Sequence, residues 1–327
     1  MEEMNLKIVV LDGYVLNPGD ISFAGFEEIG ELTVYDRSEP EVVVERIGDA
    51  EIIMTNKTVI DKEVISSCPN LKYIGVNATG YNVVDVKAAS KAGIVVTNVP
   101  EYGTDAVAQF TFALMLELCN KVGMHSRSVA DGDWTRIKDF SYNLAPLIDV
   151  KGKTLGIIGY GSIGSRVAEL ALAFGMNVIV NSRMKKELIN CPYSDRTISY
   201  ADRDTVFRNA DIISLHCPLF DTTENMINKE SISLMKDGAM LINTARGGLV
   251  VEQDLADALN SGKLAGAALD VVSTEPMAKD NPLLNARNVI ITPHIAWASK
   301  EARTRLVGIA VDNLTAFLNG TPQNVVN

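Results

Sequence analysis

Three side chains in the C-terminal half carry the chemistry that this sequence can do. Arg246 lies in the run Leu-Ile-Asn-Thr-Ala-Arg-Gly-Gly-Leu-Val, Glu275 in Ser-Thr-Glu-Pro, and His294 in Thr-Pro-His-Ile-Ala-Trp. All three follow a Gly159-x-Gly161-x-x-Gly164 run. A guanidinium can clamp a carboxylate, and an imidazole can give or take a proton. A carboxylate beside that imidazole favours its protonated form. Joined to a dinucleotide site, these groups are equipped to reduce a 2-keto acid.

The glycine run stands in the context that a dinucleotide site needs. Residues 153–158 read as a strand, 159–164 as a turn and 165–174 as a helix. The glycines permit a tight turn and close backbone approach, and the helix N-terminus offers N–H groups to a pyrophosphate. An acidic residue about twenty positions on commonly holds the ribose 2′-hydroxyl of NAD. Here the second strand ends Val-Ile-Val-Asn-Ser-Arg-Met-Lys-Lys, with Ser182, Arg183, Lys185 and Lys186 and no carboxylate. A carboxylate would repel a 2′-phosphate, whereas a hydroxyl and a guanidinium can bind one. The expected cofactor is therefore NADP(H) in preference to NAD(H). The alternative is that Arg183 stacks on adenine and the lysines form a solvated face.

The elements that position these groups alternate between short apolar runs and helical stretches, the pattern of an α/β protein with parallel sheets. Strands are expected over 7–11, 33–35, 51–54, 73–76 and 94–97, with a helix over 40–47. A long helix is expected from about 101 to 131, with Val107, Phe110, Leu114 and Leu118 on one face and Phe112, Met115 and Leu116 on others. Both a core helix and a subunit interface fit that pattern. Pro146, Lys151 and Gly152 mark a break. Six further strands follow, over 155–158, 178–180, 212–215, 240–243, 266–269 and 289–291, enough for a complete dinucleotide fold.

A chain of 327 residues predicts two domains. With 47% hydrophobic and 22% charged residues, neither disorder nor a membrane-spanning protein fits. No apolar run reaches the length of a membrane helix or a signal-peptide core, so a cytoplasmic protein is expected. A net charge of −11 argues against nucleic acid as a partner. It also requires that an anionic substrate be captured by local cations. Cys68, Cys119, Cys191 and Cys217 show no paired spacing and read as thiols, and no metal-ligand spacing appears.

Several motifs in order resemble the D-2-hydroxyacid dehydrogenases over essentially the whole chain. They are Asn77-Ala-Thr-Gly-Tyr-Asn-Val-Val-Asp85, the glycine turn, His216-Cys-Pro-Leu219, Asn243-Thr-Ala-Arg-Gly-Gly248, Asp270-Val-Val-Ser-Thr-Glu-Pro276 and Pro293-His294. Within that family, 11–20 and 293–298 look most like the glycerate dehydrogenases, or hydroxypyruvate reductases. The resemblance implies two doubly wound parallel-sheet domains with an active-site cleft between them. One, discontinuous, would bind substrate and comprise 1–100 and 297–327; the other, 101–296, would bind the dinucleotide. A homodimer is implied as well.

The matching positions imply roles. Arg246 would grip the carboxylate and keto oxygen of a small anionic 2-keto acid. His294 would exchange the proton, and Glu275 would orient its ring and favour its charged form. The Ala78-Thr79-Gly80 loop would complete the carboxylate site. Trp297 would shape the substrate pocket or pack a hinge. His216, Cys217 and Pro218 would back the nicotinamide, and Asp270 would orient its amide or support Arg246. Further cofactor contacts fall to Thr104, Ser162, Ile163, Thr223, Thr244, Ala245 and Ala296. His125 reads as a cap or surface residue at the end of the long helix. Formate dehydrogenases share the fold, but that family replaces the glutamate. Corepressors that use the fold as a nucleotide-sensing module, and reductases of glyoxylate or bulkier 2-keto acids, are the other readings.

Overall fold

A computed structural model describes residues 6–183 and 187–327. It divides into two compact units, Met1–Gly103 with Trp297–Asn327, and Thr104–Ala296.

The first unit is built on five parallel strands, β1 (Lys7–Val10), β2 (Glu31–Val34), β3 (Ile52–Thr55), β4 (Tyr73–Val76) and β5 (Val95–Thr97), in the order β2-β1-β3-β4-β5. Every residue of β3 and β4 is buried, as expected of parallel strands covered on both faces. The second strand starts two residues earlier than expected and ends one earlier, at Val34, with Tyr35 N–H still donating to the Val10 carbonyl at 2.8 Å. The 40–47 helix begins as a 3-10 turn, Pro40–Val42, before Val43–Ile47. Proline at the first position sets φ and needs no hydrogen-bond partner for its nitrogen.

The chain's end belongs to this first unit. Ser299 caps the Lys300–Leu318 helix by accepting from Ala302 N–H. The Phe317 ring lies 4.9 Å from that of Tyr73 on β4, and Asn313 donates to the Asn98 carbonyl at 2.9 Å. Beyond the helix, Val326 N–H donates to Val96 of β5 at 2.9 Å.

The second unit holds seven parallel strands, one more than expected: β6 (Thr154–Ile158), β7 (Asn177–Asn181), β8 (Ile198–Tyr200), β9 (Ile212–Leu215), β10 (Ala239–Asn243), β11 (Leu264–Leu269) and β12 (Val289–Ile291). Their order is β12-β11-β10-β9-β6-β7-β8. The added strand is β8, an edge strand of three residues, none of them fully buried. A strand so short and half-polar gives no apolar run to find.

The long helix ends at Asn120 rather than continuing to 131. Lys121 takes a left-handed conformation, φ 52°, and a second helix follows over Val122–Ala130. The Thr104–Asn120 helix buries Val107, Phe112, Leu114, Met115 and Leu118, so it is a core helix. His125 sits within the second helix instead of at a terminus, its Nδ1 2.8 Å from the Lys121 carbonyl and its Nε2 accepting from Leu144 N–H at 3.1 Å.

Candidate active site

In the second unit the strand order reverses beside β6, between β6 and β9, which is where open α/β sheets bind nucleotides. The glycine turn leaves β6 at that point. Gly159 has φ +100°, and a Cβ there would lie 2.6 Å from the Cys217 nitrogen. At Gly164 a Cβ would fall 2.0 Å from the Gly159 carbonyl oxygen, so the helix can seat on the turn only without a side chain. A Cβ on Gly161 would meet nothing within 4 Å, so this face of the turn is open. The helix starts at Ser162, three residues before the sequence suggests, and so Ile163 and Gly164 fall in its first turn. That places N–H groups where a pyrophosphate can be received.

After β7 come Ser182 and Arg183; Lys185, also assigned to the cofactor, lies outside the described residues. The Arg183 guanidinium lies 4.3 Å from the centre of the Phe220 ring. Thr223 fixes that ring's backbone: its hydroxyl donates to the Pro218 carbonyl and accepts from Phe220 N–H, both at 2.8 Å. Sequence reading passed over Phe220. Its signal was an aromatic residue directly after the His216-Cys-Pro-Leu run.

His216 and Cys217 follow β9 beside the glycine turn. Burial lowers the His216 pKa to about 3 and raises that of the Cys217 thiol to about 11. Burial thus favours the neutral form of both groups, which makes His216 a poor proton donor. Ser214 Oγ is 2.8 Å from His216 Nε2 and fixes the ring.

The acid–base groups lie at the carboxyl ends of β10, β11 and β12, three adjacent strands. Arg246 follows β10 by three residues. Asn243 shapes that turn, donating from Nδ2 to the Arg246 carbonyl at 2.8 Å and accepting Ala245 N–H at 3.0 Å. The exposed Arg246 side chain donates to the Ala245 carbonyl at 2.7 Å. Gly247 must be glycine, since a Cβ would fall 1.9 Å from the Val272 carbonyl carbon.

Asp270 directly follows β11 and is 1% exposed. Oδ1 accepts from the Thr292 hydroxyl at 2.6 Å and Ile295 N–H at 2.9 Å, and Oδ2 from Ala296 N–H at 2.7 Å. Its carbonyl accepts His294 N–H at 2.8 Å. Asp270 thus builds the loop that presents His294, a duty that sequence reading did not give it. His294 itself is left-handed at φ 55°. Its Nδ1 lies 2.6 Å from Glu275 Oε2, while Glu275 Oε1 accepts Val272 N–H at 3.2 Å. The His294 and Glu275 side chains are 30% and 35% exposed, reachable from solvent yet partly shielded.

The remaining assigned residues fall as follows. In the first unit, Ala78, Thr79 and Gly80 form the loop after β4, pinned to the next segment by Val99 N–H to the Ala78 carbonyl and by the Thr79 hydroxyl to the Val99 carbonyl, each 3.0 Å. The Trp297 ring meets Tyr102 edge-on at 6.3 Å. In the second unit, Thr104 opens the core helix and the Thr244 hydroxyl is 3.0 Å from that of Thr111. Ala245 packs at the margin of the core, and Ala296 is 4% exposed. Among the described residues no helix is long and apolar enough to cross a membrane, and no cluster of three His, Cys, Asp or Glu side chains could hold a metal ion.

Residues 112–296 match the family model described as "D-isomer specific 2-hydroxyacid dehydrogenase, NAD binding domain". A hydroxypyruvate reductase of Blautia hydrogenotrophica is 53% identical, covering 98% of this chain and all of its own. A glycerate dehydrogenase of Methylorubrum extorquens is 41% identical over 99% of both chains. Among solved structures, an acyclic imino acid reductase in complex with NADPH and D-Arg superposes with a TM-score of 0.82. It is 32% identical, covering 98% of this chain and all of that one. The chain belongs to the D-isomer specific 2-hydroxyacid dehydrogenases, oxidoreductases with a nicotinamide cofactor.

Proposed function

We propose that this protein reduces hydroxypyruvate to D-glycerate with NADPH, with glyoxylate as a secondary substrate. The observation that carries the reading is the His294–Glu275 pair, 2.6 Å apart, at the same carboxyl end of the sheet as Arg246. The relatives named above support hydroxypyruvate and glycerate as the substrate pair. They do not favour a nucleotide-sensing binding module.

The reduced nicotinamide, when bound, supplies the hydride. The glycine turn and the Ser162–Ala173 helix would hold the dinucleotide's pyrophosphate, and the 216–218 segment with Thr104, Thr244, Ala245 and Ala296 would hold the nicotinamide end. Arg246 holds the substrate carboxylate and keto oxygen, a fixed orientation that lowers the entropic part of the barrier. Ala78, Thr79, Gly80 and Trp297 of the first unit also serve substrate binding. His294 turns Nδ1 to Glu275 and delivers the Nε2 proton to the oxygen as the keto carbon becomes an alcohol carbon. In reverse, the same nitrogen removes the hydroxyl proton.

Ser182 and Arg183 receive the 2′-phosphate of NADPH, with the guanidinium steadied over Phe220. Initial rates with hydroxypyruvate, glyoxylate and pyruvate, each with NADPH and NADH, test both parts. The highest kcat/KM is expected for hydroxypyruvate with NADPH. No oxidation of either nucleotide with any of the three acids would sink the reading. Arg183→Ala should weaken NADPH binding about tenfold or more while NADH changes little. Equal losses for both nucleotides would remove the 2′-phosphate role.

The segment after the core helix exposes the large apolar side chains Val122, Met124, Trp134, Phe140 (90%) and Leu147, the kind of surface that a partner covers. We propose that a second copy of the chain covers it in a homodimer. Sedimentation equilibrium should return twice the chain mass, and a monomer at micromolar concentration would exclude it.

A further inference from the structure

Glu252 is the first residue of the Glu252–Ser261 helix, six positions after Arg246. An acidic residue at a helix start is ordinarily a solvated favour to the helix dipole. This one is turned onto the loop that carries Glu275. Its Oε1 accepts Ser273 N–H at 2.8 Å, and Oε2 accepts both the Ser273 hydroxyl and the Asn281 amide at 2.8 Å. Asn281 is 7% exposed and is itself held, accepting Leu283 N–H at 3.0 Å. The same loop is gripped again one residue earlier, where Gly247 lies against Val272 so closely that a Cβ would overlap its carbonyl. Glu275 follows two residues after Ser273, with Oε1 on Val272 N–H and Oε2 on His294.

The segment that carries Arg246 and the loop that carries Glu275 are therefore fastened at two points, a backbone contact at Gly247 and a three-bond carboxylate clip at Glu252. We propose that Glu252 is a positioning residue for the reaction, holding the 271–276 loop so that Glu275 stays on His294 and in register with Arg246. The proposal rests on the reading of His294 and Glu275 as the proton-handling pair. A carboxylate is required because all three of its partners are donors. The amide of a glutamine accepts through one atom only, and its NH₂ would face a donor.

Glu252→Gln is expected to lower kcat by about 10- to 100-fold, the cost of a small misplacement of reacting groups, with the NADPH dissociation constant unchanged. Because the effect passes through Glu275, adding Glu252→Gln to Glu275→Ala should change kcat by less than about twofold. Ser273→Ala, which removes only the hydroxyl contact, should lower kcat in the same direction by a smaller factor, and it keeps the test open should the glutamine variant misfold. Wild-type kcat in Glu252→Gln with only a lower Tm would overturn the proposal, as would an equal fold-loss in the Glu275→Ala background. Unchanged kcat in Glu275→Ala alone would overturn the proton-pair reading, and this proposal with it. By contrast, a large loss in Glu275→Ala beside none in Glu252→Gln and Ser273→Ala would overturn the positioning role alone.

Discussion

His294→Ala should lower kcat for keto-acid reduction by ~10²–10⁴-fold, the usual contribution of a placed general acid. Removing the ring takes away the proton that the developing alkoxide needs, and no other histidine can replace it. His216 is held neutral, with its pKa lowered by burial to about 3, and His125 is engaged with Lys121 and Leu144. NADPH should bind the variant as it binds the wild type, because the glycine turn and the Ser162–Ala173 helix are untouched. Stopped-flow single turnovers with a parallel nucleotide titration measure the two quantities separately. A variant that turns over at the wild-type rate would end the proposed role of His294.

Arg246→Ala should lower kcat/KM by ~10²–10⁴-fold, the loss of two charge-assisted hydrogen bonds to a carboxylate. Lysine at this position restores the charge but not the planar fork, so Arg246→Lys should recover only part of the loss. Added guanidinium should rescue the alanine variant better than added ammonium. The Arg246 turn is shaped by Asn243 and by the fit of Gly247 on Val272, both outside the substituted side chain, so stability should change little. Steady-state kinetics across keto-acid concentration decide the matter: an unchanged KM and kcat would show that another group holds the substrate.

The sequence went far because its most informative features are local. A glycine forced by φ +100° at Gly159, or by a 2.0 Å approach at Gly164, must be glycine wherever the rest of the chain goes. The strand–turn–helix around it is short-range, and so are the runs that became β4, β9 and β12. Arg246, Glu275 and His294 could be singled out by residue type and by the order of their motifs. Errors fell where no local signal exists: β8 is a three-residue edge strand, and the helix break at Lys121 comes from a residue with no intrinsic preference for a left-handed turn.

Tertiary structure alone decided which groups meet. Glu275 and His294 are 19 positions apart in the chain, and Asp270 and Thr292 are 22 apart. These pairs close because β11 and β12 lie side by side and end together. The return of the Lys300–Leu318 helix to Tyr73, and of Val326 to β5, spans more than two hundred residues and leaves no trace in periodicity. Asp270 and Glu252 belong to the same class. By type each is an ordinary acid at the end of a strand or the start of a helix, and only their hydrogen-bond partners show that one builds the His294 loop and the other clips the Glu275 loop. Sequence determines what a side chain can do and what its immediate backbone allows; the packing of adjacent parallel strands determines which side chains do it together.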